Sequence, residues 1–214
     1  MEVIVFTTPN KFNTEVETVV ELFERGLGTL HLRKPKFSRR RMKQYIRGIP
    51  QQYHSRIVIH HHHRLALHYG LRGIHIGRKE RNKRVMVWLK RFFFRLRKRE
   101  LMVTTSFHSL QSLVDNDQHY DYVFLSPVFD SLSKKGHVAA FNHNQLTLVL
   151  AHTRFSVVAL GGIDAGKIEQ VREMGFNGVA LLGMLWEAPQ EEHIAIFEAV
   201  RDQANGTDPA PDAR

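Results

Sequence analysis

Residues 121–136 read DYVFLSPVFDSLSKKG. Four apolar side chains in a row, Tyr122 to Leu125, describe a short buried strand. The chain leaves it through Ser126-Pro127 into a loop holding Ser131, Ser133, Lys134 and Lys135. Hydroxyls that donate to phosphate oxygens, set beside compact ammonium charges, suit a polyanion. The same cluster also fits a solvated turn between strand and helix. Its meaning therefore depends on the rest of the chain.

Working outward, strands and helices alternate. Downstream, a helix is predicted over 144–152, a strand over Ser156–Leu160, a helix after Asp164, a strand over Gly178–Leu182 and a last helix over Glu191–Arg201. Upstream, residues 2–7 read as a buried strand. Thr14 and Glu17 match a capping box, and Val16, Val19, Val20 and Phe23 recur at helical spacing up to a stop at Gly26. Thr29–Leu32, Arg56–Ile59, Gly73–Gly77 and Leu101–Thr105 read as strands. Helices between them are expected after Ser38 (with Met42, Tyr45 and Ile46 apolar), over Leu65–Tyr69, over Val85–Leu96 and near Leu110–Val114. Eight strand–helix units predict an α/β protein, a single (β/α)8 TIM barrel over residues 1–203. A doubly wound sheet is the alternative, but no G-x-G-x-x-G follows the first strand. Residues 204–214 are polar and Pro-containing and are expected to be a disordered tail.

Composition bounds this reading. The 214 residues fit one barrel domain, and cysteine is absent, so no disulfide or thiolate site exists. The N-terminus lacks a signal-peptide pattern and no apolar run is long enough for a membrane span, which makes the cytoplasm the expected location. The net charge of +10 is confined to one segment. Residues 78–99 hold 11 Lys/Arg and one acid, Glu80, leaving 20 bases and 20 acids elsewhere. A nucleic-acid partner is therefore disfavoured, and no membrane partner is expected. Val85, Trp88, Leu89, Phe92 and Leu96 share one helix face. That face is expected to pack on the barrel, with Lys90, Arg91, Arg95 and Arg97 to Arg99 outside. Because Phe93 and Phe94 broaden it, the alternative is a basic-aromatic surface for nucleic acid or an anionic membrane.

A barrel places chemistry at the C-terminal ends of its strands. There the sequence puts Arg33, His60 to His63, Arg78 to Glu80, Ser106, His108, the Ser131–Lys134 cluster, Gly161-Gly162 and Leu182-Gly183. Glycines after the seventh strand let backbone N–H groups approach an anion. Two anion sites at one mouth suit the joining or exchange of two phosphorylated small molecules.

H-L-R-K at the second strand, G-I-H-I-G at the fourth, T-S-F-H-S-L after the fifth, D-Y-V-x-x-S-P-V-F-x-S-x-S-K-K-G at the sixth and V-A-L-G-G-I at the seventh resemble the thiamine phosphate synthase/TenI family. The resemblance runs in order to about residue 186. It implies a transferase of thiamine biosynthesis that joins hydroxymethylpyrimidine diphosphate to a thiazole phosphate, expelling diphosphate with Mg²⁺. By position it implies His31, Arg33, Ser106, Ser131, Ser133 and Lys134 around the diphosphate, and Gly161, Gly162, Leu182 and Gly183 around the thiazole phosphate. His108 matches the histidine of the TenI-type thiazole tautomerases, which need no metal, and synthases carry it too. Synthase, tautomerase and non-catalytic binder of phosphorylated precursors all stay open, as does the oligomeric state.

Three stretches depart from the family. Its Asn-Asp-Asp run reads His60, His61, His62 here, its second metal Asp aligns with Glu80 behind Arg78-Lys79, and its Lys two residues after the Arg is Pro35. Magnesium prefers oxygen ligands, so a metal site of His61 and Glu80 is damaged as a Mg²⁺ site. Either His61 or His62 serves a softer metal or neutralises diphosphate as a cation, or the run is an exposed strand end with no role. Strand alternation sends only every second side chain of this run into the mouth.

Overall fold

The computed structural model describes residues 1–9, 14–129 and 141–206. Ser131, Ser133, Lys134 and the residues from 207 onward lie outside that set. Eight parallel strands close in sequence order: β1 (Glu2–Phe6), β2 (Thr29–Leu32), β3 (Ile57–Ile59), β4 (Gly73–Ile76), β5 (Met102–Phe107), β6 (Tyr122–Leu125), β7 (Val157–Leu160) and β8 (Gly178–Leu181), with β8 pairing back on β1. The chain is a (β/α)8 barrel. Its helices are α1 (Glu15–Glu24), α2 (Arg39–Gly48), α3 (Arg64–His68), α4 (Arg78–Arg81), α5 (Arg84–Arg97), α6 (Leu110–Val114), α7 (His143–His152), α8 (Ile168–Glu173), α9 (Gly183–Trp186) and α10 (His193–Asn205).

Strand alternation sorts the side chains into two cores. Odd positions of β1 and β6, such as Val3, Val5, Val123 and Leu125, join the large apolar layer under the helices. Even positions fill the barrel: Ile4, Phe6, Tyr122, Phe124, Val158 and Ala180 pack as a second, smaller cluster. The opposite wall is polar, since Thr29, His31, His75 and Thr104 are also buried. Crowding there is tight: a Cβ on Gly73 would sit 2.4 Å from the Met102 carbonyl oxygen, so the β4–β5 approach requires glycine.

Local signals explain most boundaries and miss a few. Ser38 caps α2, its hydroxyl accepting from the Arg41 N–H at 3.3 Å, and Met42, Tyr45 and Ile46 are buried below it. The capping box expected at Thr14 does not form: its side chain makes no cap bond. Its carbonyl instead accepts from Thr18 Oγ1, and the preceding turn is organised by Glu15, whose carboxylate accepts from the Thr8 N–H at 2.9 Å. The last helix continues past Arg201 to Asn205, so the tail's first two residues are helical. Ala204 is buried and its carbonyl accepts from the Met1 amino group at 2.8 Å.

The largest correction concerns α5. Val85, Trp88, Leu89, Phe92 and Leu96 do form one stripe, but the stripe faces away from the barrel: Val85 is 73% exposed, Trp88 63% and Leu96 71%. The inward face holds Val87 and Phe94. Around them the cations find acceptors on the barrel. Lys90 donates to Glu80 at 2.9 Å, Arg91 to the His119 carbonyl at 2.7 Å, Arg95 to both Asp121 oxygens and Lys98 to the Gly70 and Leu71 carbonyls. Hydrogen-bond partners, not apolar surface, decide which side of this helix is inside.

Candidate active site

The C-terminal ends of the strands form one rim. Arg33 follows β2, with its backbone N–H bonded to Thr7 Oγ1 at 2.9 Å. The next residue turns away from the mouth. Lys34 is buried and ion-paired to Glu15, and its ammonium also donates to the Thr8 carbonyl at 2.6 Å. Burial pushes the Lys34 ammonium down and the Glu15 carboxyl up, each against the attraction of the other. Lys34 thus anchors the β2 loop and leaves Arg33, half-buried, as that loop's cation at the rim.

Beneath the rim three imidazoles converge from neighbouring strands: His31 of β2, His60 just past β3 and His75 of β4. Their donor atoms lie within 4.8 Å of one another. His31 Nδ1 is 3.0 Å from His60 Nε2, and the His60 and His75 rings stack at 4.1 Å. Outer nitrogens are held by hydroxyls, with His31 Nε2 2.5 Å from Tyr122 Oη and His75 Nδ1 2.9 Å from Thr104 Oγ1. Burial drives all three toward the neutral form, His75 down to about 3. The Arg33 charge adds to this at His60 and His75.

Of the histidine run, His60 is the one turned inward. His61 is exposed, and His62, with a left-handed φ of 55°, swings out to the Phe37 carbonyl at 2.9 Å. His63 is buried: Nε2 donates to the His60 carbonyl at 3.1 Å, and Nδ1 accepts from Lys90 at 2.9 Å. Desolvation, then the Lys90 charge, lowers its pKa to about 4.

A cleft of about 860 Å³ opens here, lined among others by Arg39, His61, Arg64, Arg78, Lys79 and Phe93. Glu80 also lines it, but its carboxylate is held by Lys90. The sequence places the family's Mg²⁺ ligands in this cleft. Mg²⁺ wants several oxygen ligands, and the cleft supplies one committed carboxylate among imidazoles and cations. Among the described residues no trio of side chains containing a carboxylate converges as closely as the three histidines do. The residues present do not fit magnesium.

On the neighbouring strand, Ser106 sits near the end of β5, its hydroxyl 3.2 Å from His75 Nε2 and its carbonyl bonded by Arg81. His108 is exposed. Its Nδ1 donates to the Ser126 carbonyl at 2.9 Å, which orients the ring. Gly161 and Gly162 follow β7 with φ of 98° and 68°, and a Cβ on Gly161 would lie 3.0 Å from Pro127. Only glycine meets both demands. Leu182 and Gly183 open α9 after β8. Arg33, Ser106, His108, Gly161, Gly162, Leu182 and Gly183 therefore share one rim. His31 lies below it, His61 and Glu80 lie in the adjacent cleft, and Ser131, Ser133 and Lys134 fall outside the described residues. Sequence reasoning placed His60 at the mouth with the rest of its run but did not single it out, and it passed over His75, which was legible as a histidine inside an alternating strand.

A family model described as thiamine monophosphate synthase matches residues 3–185. A thiamine-phosphate synthase of Lysinibacillus sphaericus is 28% identical over 153 residues, covering 70% of this chain and 68% of that one. One from Archaeoglobus fulgidus is 22% identical over 209 residues, covering 95% of each. The crystal structure of thiamine phosphate pyrophosphorylase from Bacteroides thetaiotaomicron superimposes with a TM-score of 0.76 at 29% identity, over 96% of this chain and 98% of that one.

Proposed function

Because the chain belongs to the thiamine monophosphate synthase family, we propose that it joins a hydroxymethylpyrimidine diphosphate to a thiazole phosphate and releases diphosphate. The bond between the pyrimidine methylene and the diphosphate oxygen breaks, and the thiazole nitrogen supplies the electron pair for the new C–N bond. No proton has to move in that step. The demand on the protein is neutralisation of the departing diphosphate and exclusion of water from the cationic carbon.

The observation that carries this reading is the concentration of cations and donors on one side of the rim. Arg33 follows β2, the basic cleft of Arg39, Arg64, Arg78 and Lys79 opens past β3 and β4, and Ser106 lies near the end of β5. Ser131, Ser133 and Lys134 belong to the same function by resemblance. Gly161-Gly162 and Leu182-Gly183, on the far side, suit the thiazole phosphate. Since the family's Mg²⁺ ligands are replaced, the cations of this chain take over the neutralising role, and the leaving group is held by a protein clamp.

The test is product formation from the two phosphorylated substrates, with Mg²⁺ and with EDTA. Turnover that persists in EDTA and falls on the order of 100-fold in Arg33→Ala is expected. Strict Mg²⁺ dependence would overturn the clamp and keep the synthase reading. Binding of both substrates without product would overturn the synthase reading. The tautomerase alternative rests on His108, an imidazole at the rim oriented by its Nδ1 bond to Ser126, a side chain suited to proton transfer. A proton shift on a thiazole carboxylate phosphate, abolished in His108→Asn, would establish it.

A further inference from the structure

We propose that His31, His60 and His75 form a binding site for one borderline divalent transition-metal ion such as Zn²⁺, inside the barrel and below the mouth. The site adjoins the family's magnesium position, which falls at exposed His61 and at Glu80, and shares with the family's aligned run only His60. Among the described residues these three side chains are the set whose donor atoms converge. The outer nitrogens of His31 and His75 are occupied by Tyr122 and Thr104. That leaves His31 Nδ1, His75 Nε2 and His60 Nε2 for a shared ligand, with the Ser106 hydroxyl 3.2 Å from His75 Nε2. Oxygen partners on the outer nitrogens are the arrangement that orients imidazole ligands around a metal. A tetrahedral ion with bonds near 2.1 Å sets its nitrogens roughly 3.4 Å apart. One pair is already at 3.0 Å, and the widest separation, 4.8 Å, closes with a modest ring shift. Imidazole nitrogen suits Zn²⁺ or Co²⁺ and not magnesium. Bound there, the ion ties β2, β3 and β4 together beneath the cleft.

Co²⁺ titration of the metal-stripped full chain reads the site directly. One equivalent should bind with the visible absorption of a four-coordinate ion and raise Tm. His60→Asn and His75→Asn should abolish both signals, and the surface controls His61→Asn and His62→Asn should keep them. Each variant's fold is checked by its circular dichroism without metal. Absence of the band overturns the proposal, as does a band that survives His60→Asn or disappears in the surface controls.

The outward stripe of α5 carries a second inference, independent of the first. Val85, Met86, Trp88, Leu89, Phe92, Phe93 and Leu96 are all exposed, and Trp88 stacks on Phe92. Scattered apolar residues need no account, but a continuous stripe of this size marks a docking surface. Its surroundings select the occupant. Lys83 and Arg84 stand at one end of the stripe, Arg97 and Arg99 at the other, and Arg78 and Lys79 beside it on α4. A second copy pairing along α5 in either direction would set cations against cations. We infer that the stripe lies on an anionic lipid surface, with its aromatic and aliphatic side chains in the acyl boundary and the flanking bases among the headgroups.

Cosedimentation with vesicles decides this. The chain should bind phosphatidylglycerol-containing vesicles, fail to bind pure phosphatidylcholine and release as salt rises. In a Trp186→Phe background Trp88 emission should shift to the blue on binding. Leu89→Glu with Phe92→Glu should abolish binding while leaving the Tm unchanged. Absence of binding to anionic vesicles at low salt overturns the inference. A vesicle-indifferent chain whose dimerisation is broken by the same pair of substitutions would show the stripe to be a chain–chain interface.

Discussion

α2 and α5 are both basic amphipathic helices on the same barrel, and they sit the opposite way round. In α2 the apolar residues Met42, Tyr45 and Ile46 are buried and Arg39, Arg40 and Arg41 face solvent. In α5 the apolar stripe faces solvent, while Lys90, Arg91, Arg95 and Lys98 reach inward to acceptors. The difference lies in the surface each helix meets. Under α2 the barrel offers side chains that need apolar partners; under α5 it offers Asp121, Glu80 and the Gly70, Leu71 and His119 carbonyls. The bases bonded to those acceptors lie on the barrel side, and the apolar stripe is left in solvent.

Truncating Met42 or Ile46 to Ala should sharpen the contrast most, because each is fully buried. A loss of about 2–5 kcal/mol in denaturant unfolding is expected for each. A smaller loss would mean that α2 is no better anchored by its stripe than α5. Next comes Asp121→Ala. The Asp121 carboxylate binds Arg95 with both oxygens and accepts the Val103 N–H at 2.7 Å. Removing it leaves that buried N–H unpaired, at about 1–3 kcal/mol. An unfolding midpoint equal to wild type would show that the polar docking of α5 contributes nothing.

The inward cations also predict a pH response. Lys90 donates to His63, whose pKa is lowered to about 4 in the folded chain. An unfolded histidine takes up its proton near pH 6.5, so between pH 6.5 and about 4 the unfolded state binds more protons. Stability should therefore fall as the pH drops through that window and be fully present above it. Lys90→Met removes one cause of the shift, raises the His63 pKa and should narrow the window. A window of unchanged width in Lys90→Met would separate His63 from α5.

These cases also show what was legible. Strand alternation and helix punctuation suffice for the closed barrel, because eight short apolar runs separated by 3.6-residue patterns admit few topologies. The cap at Ser38 was legible for the same local reason. The phase of α5 was not. Its stripe has a clear period, and a period says which residues share a face without saying which face is inside. That choice depends on Asp121 and on the His119 carbonyl, which lie in the loop leading into β6, farther along the chain. Thr14 failed as a capping box because Glu15 is drawn inward by Lys34, again a distant partner. At the mouth, the rim positions followed from topology. The convergence of His31, His60 and His75 needed the register of three strands to become visible.

The smallest effect is the most discriminating. Leu96 is 71% exposed and Phe92 58%. Substituting either with Glu on the full chain should change the unfolding free energy by no more than about 0.5 kcal/mol, the usual range for an exposed site. Were α5 docked as its sequence pattern suggests, the same substitutions would bury a carboxylate in the helix–barrel layer and cost several kcal/mol. Val87→Glu supplies the reference, since Val87 is one of two buried apolar residues on the inward face. A severe loss at Val87 with near-neutrality at Leu96 and Phe92 fixes the orientation of the helix by energetics alone. Near-neutrality at all three would mean that the bases, bonded to carbonyls and carboxylates, hold the helix without help from apolar contact.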